Sequence, residues 1–288
     1  MDSNNSLLPK FAEFIAEKWN GNFQHRFSIP KHHRAWQTWK TKFSHLNCAV
    51  TIWECSNLRE AYERYSWPES DESIEDIRAL LKQSIASRNE NLVQSNCLKI
   101  FRWGGVAKNV NDPSLQWILR NEGQLSTQII FALSLLNSQD ANLACFDGKN
   151  LLMNSAMTKV YWAADEHNKL AIYDGRVGAA LGLLSRNFLQ EKGSNKVPDE
   201  LAFSWGSSRE KHVQGIRDKR NPSDTQLKYP RLFNAKNKDF HHAKMMRDAS
   251  NLFQLTSKLL EDKVSVNHLE RAMFMIGYDV TQNEMLSS

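Results

Sequence analysis

Apolar residues recur every three or four positions along this chain, with no sustained alternation of period two, and that spacing constrains the fold most. It lines up one face of an α-helix, whereas a half-buried strand needs every second residue apolar. Residues 7–19 carry the pattern through Leu7, Leu8, Phe11, Phe14, Ile15 and Trp19, and residues 73–87 through Ile74, Ile77, Leu80, Leu81 and Ile85. Within residues 35–53, Trp36, Trp39, Phe43 and Leu46 fit one helical face. Asp112-Pro113 has the form of a helix start, an Asp cap followed by proline in the first turn, with Leu115, Ile118 and Leu119 as the apolar face. Residues 124–136, 157–164, 175–190, 241–260 and 268–275 also read as helices, and 96–105 as a short apolar run stopped by Gly104-Gly105. The expected fold is mainly α with few or no strands, one compact unit over residues 1–288 with two helical lobes.

Composition narrows the function classes. Fourteen Phe, nine Trp and six Tyr are more aromatic surface than a disordered chain carries. No apolar run reaches the ~18–20 residues of a membrane span, and residues 1–20 lack the apolar core of a signal peptide. Cys48, Cys55, Cys97 and Cys145 form no C-x-x-C pair, and no His stands at zinc-ligand spacing from them. The expectation is therefore four reduced thiols in a cytoplasmic, monomeric protein with no metal and no cofactor.

The net charge of +5 is modest, but it is not evenly spread. Residues 192–248 hold 13 Lys and Arg against 7 Asp and Glu, while residues 1–191 hold 21 against 20. The basic stretch also holds Pro198, Pro222, Pro230, Gly193, Gly206 and Gly215, so much of it reads as loop. Either it is a solvated surface or it tracks phosphates, each cation then releasing counterions. Arg209, Lys211, Arg217, Lys219 and Arg220 are its best phosphate candidates.

The most informative chemistry lies within residues 143–190. A polar turn at Asn154-Ser155-Ala156 precedes a helix with Lys159 in its first turns, and Asp174 stands where a cap would open the apolar helix that follows. Gly178 and Gly182 leave two positions on that helix without side chains, which permits close approach. A carboxylate stabilises the positive charge that builds on a sugar as an N-glycosidic bond breaks, and a desolvated lysine is an amine nucleophile.

This pattern resembles the helix-hairpin-helix DNA glycosylases of the 8-oxoguanine glycosylase type. The resemblance rests on Thr158-Lys159-Val160 at the start of the helix after the hairpin and on the Ile172-Tyr173-Asp174 step fifteen residues beyond Lys159. It covers about a sixth of the chain, and where the family turn is apolar-Pro-Gly-x-Gly, this one reads Met153-Asn154-Ser155-Ala156-Met157-Thr158. The resemblance implies a helix-hairpin-helix fold and a double-stranded DNA partner carrying a modified base. It further implies Lys159 as the nucleophile on the sugar C1′ and Asp174 as the essential carboxylate. An associated lyase step at the abasic site is part of that implication, and modified phage DNA is one substrate it admits.

Around that pair, Ser155, Thr158 and the turn amides are candidate phosphate contacts, and Arg176 is a candidate either to orient Asp174 or to bind phosphate. Trp103, Tyr173 and Trp205 are candidate walls of a base pocket, the two tryptophans because glycines adjoin them. His241 and His242 read as surface residues at a helix start. Two other readings stay open: a non-catalytic helical DNA-binding module, and a helical protein-binding accessory of a defence system.

Overall fold

The computed structural model describes residues 6–28, 52–67, 72–208, 217–261 and 263–281. Among these it is mainly helical, with ten α-helices and one two-stranded antiparallel sheet. The helices are α1 (Leu8–Asn20), α2 (Leu58–Glu63), α3 (Ile74–Ala86), α4 (Glu90–Gly104), α5 (Pro113–Arg120), α6 (Leu125–Leu136), α7 (Met157–Ala164), α8 (Gly175–Glu191), α9 (Lys238–Leu259) and α10 (Val266–Ile276). No helix of the described residues is long and apolar enough to cross a membrane.

The chain divides into two compact units, each assembled from segments distant in sequence. The first comprises Met1–Pro68, Gly175–Phe233 and Leu252–Ser288, and the second Glu69–Asp174 and Asn234–Asn251. In the first, α1 buries Phe11, Phe14, Ile15 and Trp19, as its spacing predicts. Phe11 and Phe14 meet Phe188 of α8 at ring centroid distances of 5.4 and 5.6 Å. α10 packs against α2 and α8.

The expectation of few or no strands holds among the described residues, where this unit carries one small sheet. β1 (His25–Ser28) pairs with β2 (Ile52–Cys55), placing Phe27 opposite Trp53 with rings stacked at 4.9 Å. Trp53, the last residue of the mixed segment 35–53, is wholly buried in β2, and residues 35–51 with their helical face lie outside the described residues. Four residues per strand are too few for a period of two to stand out, which is why helical spacing prevailed in the sequence.

In the second unit, α3 packs on α4, and both contact α7. Ser73 caps α3 through the Asp76 amide, and Asp112 caps α5 through the Ser114 amide at 2.8 Å. The run at 96–105 is not a separate segment but the second half of α4. Its buried stripe of Val93, Asn96, Cys97, Ile100, Phe101 and Gly104 has helical spacing, which the polar Asn96 disguises. Leu80 and Leu119, expected inward, are 43% and 42% exposed, while their neighbours Leu81, Trp117 and Ile118 are wholly buried. Residues 146–156 also differ from expectation, because no helix enters the hairpin. Asp147 takes the amides of Lys149 and Asn150, and Gly148 turns the chain in the left-handed region at φ +79°.

Candidate functional site

The turn before α7 is organised by Asn154. Its Oδ1 accepts the amides of Ala156 and Met157 at 2.9 and 3.0 Å, and its carbonyl accepts that of Thr158. Two amides expected to cradle a phosphate are therefore already satisfied by the chain's own side chain. Thr158 is wholly buried, its hydroxyl 3.1 Å from the Ser155 carbonyl, so it is a structural residue rather than a DNA contact. Ser155 remains half-exposed at the edge of the turn.

Lys159 is 7% exposed, an unusual burial for a lysine in a helix. Its Nζ donates to the Ser155 carbonyl at 2.8 Å. The two glycines that close α4 explain how its stem is housed. Gly105 adopts the left-handed conformation at φ +63°, so its amide and that of Val106 cap the helix. Gly104 leaves space: a Cβ there would stand 2.5 Å from Lys159 Cδ and 2.9 Å from Cε.

Asp174 is half-buried and directly precedes α8. The carbonyl before it, Tyr173 O, accepts from His242 Nε2 at 2.8 Å and lies 3.5 Å from the Thr158 hydroxyl. One oxygen thus ties the helix of Lys159, the segment of Asp174 and α9 together. A carbonyl partner requires the hydrogen on His242 Nε2. Burial pushes the His242 pKa down to about 4, against the Tyr173 carbonyl and the Asp174 charge, which favour the cation; His241 and Lys159 add to the depression. Asp174 and Lys159 therefore act on the His242 imidazole in opposite directions.

His242 was expected on the surface but is 2% exposed. Its signal was present in the sequence: it falls in helical register with the buried Met246, Ala249 and Phe253. The protonation mismatch makes a prediction. An unfolded chain binds this proton near pH 6.5 and the folded one near pH 4, so stability falls as pH drops through that window. Urea denaturation at pH 7 and 4.5 should give a loss about 2–3 kcal/mol larger for the wild type than for His242→Gln. Equal losses in both would remove the buried neutral imidazole as the cause.

Several expected contacts are otherwise engaged. Tyr173 and Trp205 are 0% and 2% exposed, with Trp205 Nε1 donating to Tyr229 O at 3.2 Å, so both are core rather than pocket wall. Trp103 alone of the three is half-exposed; it stacks on Trp162 at 5.7 Å, and the Arg78 guanidinium lies 4.1 Å from the Trp162 ring. The Arg176 guanidinium stacks on Phe274 and Tyr278 at 4.4 and 4.2 Å, a cation–π role in place of a phosphate contact.

Two arginines of the basic loop donate to backbone carbonyls. Arg217 donates to the carbonyls of Asn221 and Ser223, Arg220 to Ser207 O at 3.4 Å, and the Lys219 carbonyl accepts the Val280 amide. Asp218 gathers the amides of Ser208 and Arg220 at the centre of this loop. Arg217 and Arg220 therefore brace the loop with part of their donor sets. Arg209 and Lys211 lie outside the described residues.

Close approach on α8 does occur at Gly182, where a Cβ would meet Pro222 Cγ at 2.6 Å. Cys55 and Cys97 are buried with thiol pKa values pushed up to about 12 by desolvation, which makes them poor nucleophiles. Among the described residues no group of three or more His, Cys, Asp or Glu is placed to hold a metal ion. Comparison with protein-family models, characterised proteins and solved structures gives no match to this chain.

Proposed function

We propose that this chain is a DNA glycosylase that extrudes a modified base from double-stranded DNA and cleaves its N-glycosidic bond. The observation that carries the reading is the buried Lys159, held by Ser155 O, on a helix whose Thr158 meets His242 at the carbonyl just before Asp174. A lysine buried on a helix without a chemical task is costly, since desolvation penalises its charge. A neighbouring carboxylate is what a reaction with developing cationic character requires.

In the proposed reaction the neutral Lys159 amine forms a bond to C1′ as the C1′–N bond breaks. The base leaves with that bond's electron pair and takes up a proton, and Nζ gives up a proton to solvent. Opening of the sugar ring yields a Schiff base, which water hydrolyses to an abasic site and free lysine. Elimination from the same imine is the route by which a strand nick follows. Asp174 stabilises the sugar's positive charge before the new bond is complete.

Borohydride reduces the Schiff base to a stable amine, so a substrate duplex should become covalently attached to the wild-type protein. The panel should include oxidised purines and hypermodified phage DNA. Lys159→Ala is expected to abolish the adduct. An adduct of undiminished yield in Lys159→Ala would remove Lys159 as the nucleophile. Salt-sensitive DNA binding with no base release from any substrate would instead favour a non-catalytic module.

A further inference from the structure

Tyr173 and Trp205 are buried, so the aromatics of the first unit that remain exposed bear on how a DNA-acting chain would hold a base. The segment through Tyr229, Pro230, Arg231, Leu232 and Phe233 runs beside Trp205 and is pinned to it. Trp205 N donates to Pro230 O at 3.1 Å, Leu232 N donates to Trp205 O at 2.8 Å, and Trp205 Nε1 holds Tyr229 O. Tyr229 and Leu232 point inward at 6% and 0% exposure. Arg231 is exposed, its guanidinium 5.1 Å from the Trp205 ring, and Phe233 is 56% exposed. A large aromatic more than half exposed, next to the anchored Leu232 and two residues from an exposed arginine, has the chemistry of a base-stacking platform.

Its place in the fold strengthens this. Phe233 Cε2 lies 3.3 Å from where a Cβ would sit on Gly206. Gly206 is itself laid against Gly175, N to O at 3.2 Å, and a Cβ on Gly175 would fall 2.7 Å from Gly206 Cα. Gly175 is the first residue of α8 and follows Asp174 in the chain. The exposed ring thus lies against Gly206, whose backbone packs on Gly175 at the start of α8.

We propose that Arg231 and Phe233 form a DNA contact in which Phe233 stacks on an unpaired base and Arg231 engages a neighbouring phosphate. This rests on the reading of the chain as a protein that acts on DNA, and it assigns residues that reading leaves open. Phenylalanine offers a π-face and no hydrogen-bond donor, so the contact senses an unstacked base without reading its identity.

The test is fluorescence anisotropy of the full chain with a duplex carrying a single-base bulge and with the fully paired duplex, over 50–200 mM salt. Phe233→Ala should weaken binding to the bulged duplex about tenfold and leave the paired duplex within about twofold, and Phe233→Trp should restore it. Arg231→Ala should reduce the slope of log affinity against log salt by about one. Unchanged melting temperatures would show that these surface truncations leave the fold intact.

The proposal is overturned if Phe233→Ala binds bulged DNA like wild type, if it loses equally on both duplexes, or if the Arg231→Ala slope is unchanged. Base release separates the two proposals. Discrimination by Phe233 with no base release from any substrate would sink the glycosylase and leave the contact standing. Base release with no dependence of binding on Phe233 would do the opposite.

Discussion

Asp174→Asn is expected to lower base release by about 10²- to 10³-fold while changing stability by less than about 0.5 kcal/mol. The substitution separates the two roles proposed for this residue. As a cap for α8 the side chain needs only an acceptor oxygen, and asparagine caps as well as aspartate does. As an electrostatic partner to a cationic sugar it needs the full negative charge, which the amide lacks. Single-turnover base release, measured beside urea denaturation, reads both quantities. A rate within twofold of wild type would reduce Asp174 to a cap and take the catalytic reading with it.

Gly277→Ala carries the largest expected effect on stability, about 3 kcal/mol or more. Gly277 closes α10 with φ −69°, a conformation alanine adopts without strain. The cost is therefore purely one of space. A Cβ at this position would lie 1.9 Å from Arg176 O, 2.5 Å from its carbonyl carbon and 2.9 Å from its Cα. All three are backbone atoms in the first turn of α8, so no side chain can swing aside. Relief requires α10 and α8 to separate, at the expense of the Arg176 stacking on Phe274 and Tyr278. A fall in the urea midpoint with an unchanged m-value would report this. A loss below about 1 kcal/mol would mean that the two helices are not held as closely as described.

These two positions mark how far the sequence could be read. Gly277 has no local signature beyond a helix end, because its constraint comes from a backbone a hundred residues away in the chain. Asp174 was legible, since an acidic residue before an apolar helix is a local pattern. Gly104 and Gly105 show both cases side by side. The left-handed cap at Gly105 follows from its place after α4, whereas the role of Gly104 depends on Lys159 arriving from α7. The basic stretch was legible only in part for the same reason. Composition counts charges, but Arg217 and Arg220 turn their guanidinium groups to carbonyls that only the folded loop presents.

By itself, then, the sequence determined the helical class and most helix positions, together with Lys159 at the start of α7 and Asp174 before α8. Those are consequences of a 3.6-residue period and of caps that act within one turn. Tertiary structure decided which aromatics and cations stay in contact with solvent. It buried Tyr173 and Trp205 and left Phe233 outside. It also drew His242 onto the Tyr173 carbonyl, 69 residues away in the chain. Burial and pairing of this kind depend on which distant segments pack together within each unit, and no stretch of residues short enough to show a period encodes that.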